Sequence, residues 1–275
     1  MVWIATLAVL TWQQTHDYVD LETLWTRTLA KNPGAWIASH NLGVMHLDRG
    51  ERPQAERYFR QVVEVRPEDG RALNNLGLLA LHRRDVNGAA EMFERAARAQ
   101  SSFVGAWYNL ARIRLAQGQV PAAIDKYLRG LRTAPTSADD QETLAVSLLS
   151  AADPADRDRF FQELVGARPG SARLVAELAW ILATSARPDR RDPGRALALA
   201  QQAIEMSPAA DARMLDVLAA AQAANGQFQQ AVETANRAAE QARRAGDGVS
   251  AAAIQARQQS YERRQPYLSP ASPAR

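Results

Sequence analysis

The 275-residue chain contains no cysteine, which excludes disulfide bonds and thiolate metal sites. Lysine is almost absent as well, because it occurs only at Lys31 and Lys126. The formal net charge is +3, but the segment 237–275 alone carries a net charge of +4, from seven arginines and three acidic residues. The rest of the chain therefore lacks the basic patch with interleaved aromatic residues that a nucleic-acid groove needs, and we expect no nucleic-acid partner.

Motifs for catalysis and for metal binding are also missing. The chain has no glycine-rich phosphate-binding loop, no His-Glu-x-x-His segment and no Gly-x-Ser-x-Gly segment. His40 and His46 are six residues apart, which is not the spacing of one helix face, so we expect no metal pair. Asp156 and Asp158 fall at a predicted helix start, where carboxylates favour the helix dipole rather than acid–base chemistry. We therefore expect neither enzyme activity nor a cofactor.

The dipeptide Asn-Leu recurs every 34 residues, at positions 41, 75 and 109. A period of this length is typical of stacked supersecondary units that cannot bury their apolar faces alone. Each unit reads as helix, turn, helix and stop, with Gly50 and Gly118 in two of the turns and Arg84 in the third. Three further sets keep the same interval: Ala55, Ala89 and Ala123; Phe59, Phe93 and Tyr127; and Pro67, Ser101 and Pro135.

This arrangement resembles the tetratricopeptide repeat, and the resemblance covers three consecutive units in Trp36–Ser137. It implies an all-α fold, an α-solenoid of stacked antiparallel helix pairs in a right-handed superhelical arc. We predict five segments: an apolar segment with a lead-in helix over 1–35, three regular units over 36–137, three degenerate units over 138–247, a capping helix over 248–264 and a disordered, proline-rich tail over 265–275.

The N-terminal residues Val2–Trp12 are apolar and uncharged. They are far fewer than the ~20 residues that span a bilayer. Two interpretations stay open. The segment is either a helix that packs on the first repeat, or the C-terminal end of a transmembrane helix whose upstream part is missing. The second interpretation predicts membrane contact through Val2–Trp12.

A second resemblance favours the membrane interpretation. Thr11-Trp12-Gln13, Leu21–Trp25 and Thr28–Pro33 are similar to the segment after the last transmembrane helix of bacterial glycosyltransferase-like repeat proteins, relatives of the transmembrane-and-tetratricopeptide mannosyltransferase family. In those proteins the repeats face the extracytoplasmic side. The resemblance thus implies a membrane-associated, periplasmic protein, with a cytoplasmic protein as the alternative. The catalytic part of that family has no counterpart in this sequence, so no catalytic residue carries over.

The first resemblance places the first helix of each unit on the concave surface. Asn41, Asn75 and Asn109 then stand in line and can hold the backbone of an extended peptide. Such a ladder is similar to the one in the superhelix of the O-linked N-acetylglucosamine transferase. The alternative is that each asparagine bonds locally within its own helix. Four more side chains are predicted near this face, for carboxylate pairing, stacking or contact at its edge: Arg71, Tyr108, Arg112 and His82.

Two functions follow from the sequence. The chain is a scaffold that binds a peptide or a protein on its concave face, without catalysis of its own. Alternatively, it is the extracytoplasmic part of a membrane glycosyltransferase-like protein and presents acceptor proteins to the enzyme.

Overall fold

The computed structural model describes residues 20–99, 103–133, 139–168, 170–207 and 211–269. Val2–Trp12, the repeat positions Ser101 and Pro135, and residues 270–275 of the predicted tail lie outside these ranges. Within them every regular element is helical, which confirms the all-α fold. The α-helices are α1 (Leu21–Lys31), α2 (Trp36–Asp48), α3 (Arg52–Val65), α4 (Gly70–His82), α5 (Val86–Ala99), α6 (Val104–Ala116), α7 (Val120–Thr133), α8 (Asp139–Ala151), α9 (Pro154–Ala167), α10 (Ala172–Thr184), α11 (Pro193–Met206), α12 (Ala212–Ala224), α13 (Phe228–Arg244) and α14 (Gly248–Glu262). A short 3₁₀ helix, Pro188–Arg190, separates α10 from α11.

The described residues fold as two compact units. One unit comprises residues 20–117 and 129–133, and the other comprises residues 118–128 and 139–269. Within a unit, close packing joins helices that follow one another along the chain, as in α2 with α3, α4 with α5, α10 with α11 and α12 with α13. Short turns between such partners make them antiparallel, as the predicted helix pairs require.

The helices keep the period of the sequence. The first helices of the three regular repeats have 13 residues each. They begin at Trp36, Gly70 and Val104. The second helices have 14 residues each. They begin at Arg52, Val86 and Val120. Both sets are spaced by 34 residues, so equivalent sequence positions occupy equivalent helix positions.

Each of the first two repeats packs a buried phenylalanine against a glycine. Phe59 on α3 and Phe93 on α5 are fully buried. A Cβ atom added to Gly43 on α2 would lie 2.7 Å from the Phe59 ring, and one added to Gly77 on α4 would lie 2.6 Å from the Phe93 ring. Real Cβ atoms do not approach so closely. The glycine therefore leaves the space that the ring fills.

Phe93 also connects neighbouring repeats. Its core cluster contains Leu73 and Ala80 from α4 of its own repeat, and Ala106 and Leu110 from α6 of the next one. The ring thus contributes to the packing of both the preceding and the following first helix, as the predicted register requires.

The turns within the three regular repeats all place one residue in the left-handed region. The φ angles are +77° at Gly50 and +72° at Gly118, and Arg84 has a φ of 63° at the corresponding position. This conformation brings an L side chain too close to the backbone and costs roughly 1–2 kcal/mol, a penalty that glycine avoids. The middle turn therefore carries a strain that the other two lack.

The prediction of a disordered tail is wrong for residues 265–269. The backbone N–H of Ser269 donates a 2.7 Å hydrogen bond to the carbonyl oxygen of Thr184. The ring of Tyr267 lies 5.8 Å from the ring of Trp180, between centroids. Thr184 ends α10, and the last carbonyls of a helix have no partner inside the helix. Ser269 of the tail supplies a partner for the Thr184 carbonyl, and Tyr267 packs beside the Trp180 ring.

Replacing Phe93 with alanine tests the packing of the repeats. We expect the free energy of unfolding to fall by ~3–5 kcal/mol, since the substitution loses apolar transfer energy and leaves a cavity between three helices. Urea denaturation followed by circular dichroism measures the loss. Val86→Ala on the same helix is the control, because Val86 is 39% exposed, and it should change stability by about 0.5 kcal/mol or less. A loss below ~1 kcal/mol for Phe93→Ala would contradict this register.

Replacing Arg84 with glycine tests the strained turn. We expect a gain in stability of ~0.5–1 kcal/mol, since the relief of left-handed strain outweighs the extra backbone entropy that glycine gives the unfolded chain. The reverse change, Gly50→Ala, should lose about 1 kcal/mol. An added Cβ at Gly50 meets no atom within 4 Å, so that loss reports the backbone alone. Equal stabilities of the Arg84→Gly variant and the wild type would refute the strain.

Candidate partner-binding site

The three predicted asparagines occupy one helix position. Asn41, Asn75 and Asn109 are each the sixth residue of a 13-residue first helix, α2, α4 and α6 respectively. Each is partly buried, between a buried leucine that follows it and the open side of its helix. The leucines that follow them are all buried, with exposed fractions between 0% and 9% at Leu42, Leu76 and Leu110. Each asparagine therefore has the same orientation relative to the core on its own helix.

The hydrogen bonds of these asparagines differ. The Asn41 Nδ2 atom donates to the Ile37 carbonyl oxygen at 2.9 Å, which is the local bond that the alternative interpretation predicts. The Asn109 Nδ2 atom donates to the Oδ1 atom of Asn74 at 2.9 Å. The Asn75 carboxamide makes no hydrogen bond within the part of the chain that the structure describes. The three carboxamides therefore share a register without bonding to one another.

Asn74 is a neighbour of the repeated asparagines that the sequence pattern did not single out. Its side chain is 8% exposed and accepts the bond from Asn109. The bond crosses from α6 to α4, so it links the first helices of successive repeats. The sequence signal was available in the pair Asn74-Asn75, but only the second asparagine follows the 34-residue period.

Three of the four accessory residues lie at the surface. Arg71, His82 and Arg112 are exposed. Tyr108 is only 5% exposed, which contradicts its predicted role in stacking on a partner. Its ring packs beside the glycine at position 130, where an added Cβ would lie 3.2 Å from the Tyr108 ring. Tyr108 therefore belongs to the core of its unit.

The two histidines of the first repeat have separate surroundings. The His40 ring meets the Phe59 ring edge-on, with 5.7 Å between centroids. Burial lowers the pKa of His40 below its ordinary value, with Asp69 opposing this shift and Arg71 adding to it. His46 stacks on the Tyr58 ring at 5.3 Å. Its Nδ1 atom lies 2.5 Å from a carboxylate oxygen of Glu51.

Within the described residues, no group of three His, Cys, Asp or Glu side chains is arranged to hold a metal ion.

The second unit contains a charged cluster that sequence analysis missed. Asp216 on α12 is 2% exposed. It accepts two hydrogen bonds from Arg257 on α14, from Nε at 3.0 Å and from Nη2 at 2.7 Å. Arg213 approaches the same carboxylate at 3.5 Å. Burial raises the pKa of Asp216, and the charge and hydrogen bonds of Arg257 oppose that rise. The available signal was one acidic residue inside the apolar run 214–221.

Trp180 stands at the edge of this cluster. The guanidinium carbon of Arg213 lies 4.3 Å from the centre of its ring, and that of Arg257 lies 5.4 Å away. A cavity of about 340 Å³ is lined by Arg213, Asp216, Ile254 and Arg257 among others. A second cavity, of about 570 Å³, is lined by Trp180 and Thr184 among others.

Comparison with known proteins assigns the repeats. The family model of the tetratricopeptide repeat matches residues 45–102 and 83–138. Residues 45–138 are therefore similar to tetratricopeptide repeats, as the 34-residue period predicts, and helical repeats of this kind present extended surfaces for protein partners. No curated protein matches the chain.

Solved structures share the fold at low sequence identity. PilF of Pseudomonas aeruginosa is 18% identical, with a TM-score of 0.51 over 81% of this chain and 97% of its own. YrrB, a TPR protein with an unusual peptide-binding site, is 17% identical, with a TM-score of 0.47 over 67% of this chain and 92% of its own. A tetratricopeptide repeat protein from Parabacteroides merdae is 15% identical, with a TM-score of 0.46 over 83% of this chain and 91% of its own. At such identities the likeness of PilF shows the fold alone.

The resemblance to membrane glycosyltransferase-like proteins gains no support from these comparisons. In the ranges that the structure describes, no helix is both long enough and apolar enough to cross a bilayer. The residues that carry this resemblance lie partly outside those ranges, since the description begins at residue 20.

The half-buried His40 predicts a dependence of stability on pH. Its folded pKa is lower than its unfolded pKa, so the unfolded chain binds a proton first as the pH falls below about 6.5. We expect stability to fall between pH 7.5 and 5.5, with a slope from this residue of at most about 1.4 kcal/mol per pH unit. His40→Gln should flatten the curve of unfolding free energy against pH, measured by urea denaturation. A variant that keeps the wild-type slope would show that His40 does not cause it.

Proposed function

We propose that this chain is a scaffold that binds an extended segment of a protein partner across the first helices of its three regular repeats. The common position of Asn41, Asn75 and Asn109 supports this function, since each is the sixth residue of its helix. Identical carboxamides on successive helices suit a ligand whose backbone also repeats. An extended peptide is such a ligand, and binding it requires no catalysis by the scaffold.

The spacing of the first helices fits an extended backbone. The hydrogen bond from Asn109 to Asn74 places α6 directly beside α4. Packed helices lie about 8–10 Å apart. An extended chain rises about 3.3 Å per residue, so about three residues of the ligand separate successive asparagines. Each carboxamide then lies beside a different peptide group of the ligand.

The asparagines keep hydrogen-bonding capacity beyond their internal bonds. A carboxamide has two N–H donors and one oxygen that accepts two bonds. Asn41 and Asn109 each use one N–H internally. Their remaining donor and their oxygen can pair with the carbonyl and the N–H of a peptide. Because both partners are main-chain groups, such contacts hold a segment without selecting its side chains.

Two exposed arginines add a preference for acidic ligands. Arg71 precedes Asn75 by four residues and Arg112 follows Asn109 by three, so helical spacing places each near the face of its asparagine. Guanidinium groups bind carboxylates in a bidentate manner. A partner segment with acidic side chains next to its bound backbone therefore fits this face best, and added salt should weaken it.

Simultaneous replacement of Asn41, Asn75 and Asn109 with alanine tests the function. The probe is a labelled twelve-residue peptide selected on the wild-type protein from a random displayed library, titrated by fluorescence anisotropy. Each substitution removes a neutral hydrogen bond of ~0.5–1.5 kcal/mol, so the triple variant should bind ~1.5–4.5 kcal/mol more weakly, roughly tenfold to a thousandfold or more. Affinities are compared per folded molecule, since two of the asparagines also bond internally.

The matched control is the double variant Asn87→Ala/Asn236→Ala. Both asparagines are exposed and lie on second helices, α5 and α13, away from the repeated position. This variant should bind the selected peptide as the wild type does. Equal affinity of the triple variant and the control would exclude the asparagine face as the binding surface. Replacing one peptide N–H with an N-methyl group should also weaken binding, since the contacts are to the ligand backbone.

A further inference from the structure

The C-terminal residues 265–269 lie on the surface of the second unit as a bound peptide would. After α14, Arg264 has a φ of 54° and turns the chain. Pro266 then prevents another helical turn. Tyr267 and Ser269 are partly buried, whereas Pro266 and Leu268 are exposed. This alternation is that of an extended segment that presents every second side chain to a surface.

Three residues of the surface contact the segment. Tyr267 lies against Trp180, with 5.8 Å between the ring centres, and Arg257 lies 5.5 Å from the centre of the Tyr267 ring. Two positions further on, Ser269 donates its backbone N–H to the Thr184 carbonyl oxygen at 2.7 Å. The two hydroxyl groups of Ser269 and Thr184 are 2.9 Å apart.

The direction of the hydroxyl bond follows from a second contact. The Thr184 hydroxyl donates its only proton to the Trp180 carbonyl oxygen at 2.8 Å. It can therefore only accept from Ser269, so the segment must supply a donor at this position. Thr184 itself is 1% exposed, and the geometry of this acceptor is fixed by the core around it.

The aromatic part of the surface is also held in place before any ligand arrives. Asp216 binds Arg257 through two hydrogen bonds. Arg213 lies over Trp180 and donates to Glu177 at 3.2 Å. Rigid side chains lose little entropy on binding. The receptor groups come from α10, α12 and α14, whereas the segment contributes only two side chains and one backbone bond.

We propose that Trp180, Thr184 and Arg257 form a second peptide-binding site, which the chain's own residues 265–269 occupy. The external ligand is an extended segment of another protein with a tyrosine two positions before a serine. Tyr267 remains partly exposed, and the cavity of about 570 Å³ continues along the surface beside Ser269. A partner must displace the tail to bind, so the tail lowers the apparent affinity of the site for that partner.

The test uses the full chain and a synthetic peptide. The labelled peptide Arg-Arg-Gln-Pro-Tyr-Leu-Ser, the sequence of residues 263–269, is titrated onto the wild type and onto the Tyr267→Ala/Ser269→Ala variant. A tethered segment competes at an effective concentration on the order of millimolar. We expect the variant to bind the peptide at least tenfold more tightly than the wild type. A peptide with alanine at both recognised positions should not bind.

Three further variants locate the site. Leu268→Ala changes an exposed tail residue, 42% exposed, and should behave as the wild type. Trp180→Ala in the double variant should abolish peptide binding while the circular dichroism spectrum remains helical. Should the double variant lose its helical spectrum, Ser269→Ala alone replaces it, and at least a threefold gain in peptide affinity is then expected.

Three results would overturn the site. They are the absence of saturable binding to the variant, equal peptide affinity for variant and wild type, and a wild-type dimer in light scattering that Tyr267→Ala converts to a monomer. The last result would mean that the tail binds a second copy. None of these measurements involves the asparagine face of the first unit. A negative result for this site therefore leaves the proposed function of that face unaffected, and the reverse is also true.

Discussion

The contact between a phenylalanine ring and the Cα atom of a glycine sets the geometry of the repeats. Phe59 faces Gly43 and Phe93 faces Gly77, and in both cases the ring occupies the volume of an absent methyl group. This brings the two helices of a repeat close together and leaves one relative position in which the ring fits. Because the same ring also touches the next repeat, each pair fixes the place of the following pair.

The regular position of the asparagines is a consequence of this packing. Once the glycine–phenylalanine contact fixes α2 on α3 and α4 on α5, the residue two positions before each glycine must recur on the same face. Asn41 and Asn75 hold that position. Their surroundings nevertheless differ, since Asn41 bonds within its helix and Asn109 bonds to Asn74. Packing thus fixes where the carboxamides lie, while their hydrogen bonds depend on neighbours that do not repeat.

The sequence predicts the features that repeat and misses those that occur once. Helix type, the 34-residue spacing and the burial of Phe59 and Phe93 follow from periodicity, because identical positions must meet identical surroundings. Tyr108 was misassigned although Asn74, the equivalent residue of the preceding repeat, is buried as well. In the irregular repeats, Arg257 bonds to Asp216 across 41 positions and Ser269 contacts Thr184 across 85, and neither pair recurs with the period. Composition predicts disorder for such a tail, but a helix end with an unpaired carbonyl can still hold it.

The bond between Arg257 and Asp216 also affects how the end of the array comes apart. Helical repeats normally fray from their termini, because the last element has one neighbour only. Here α14 reaches past α13 and neutralises a carboxylate buried on α12. Detachment of α14 alone would remove both Arg257 bonds and leave that carboxylate with only the longer 3.5 Å contact to Arg213, which is unfavourable. The Arg257–Asp216 pair thus couples α14 to α12, and fraying of α14 is less favourable than for a terminal helix without such a bond.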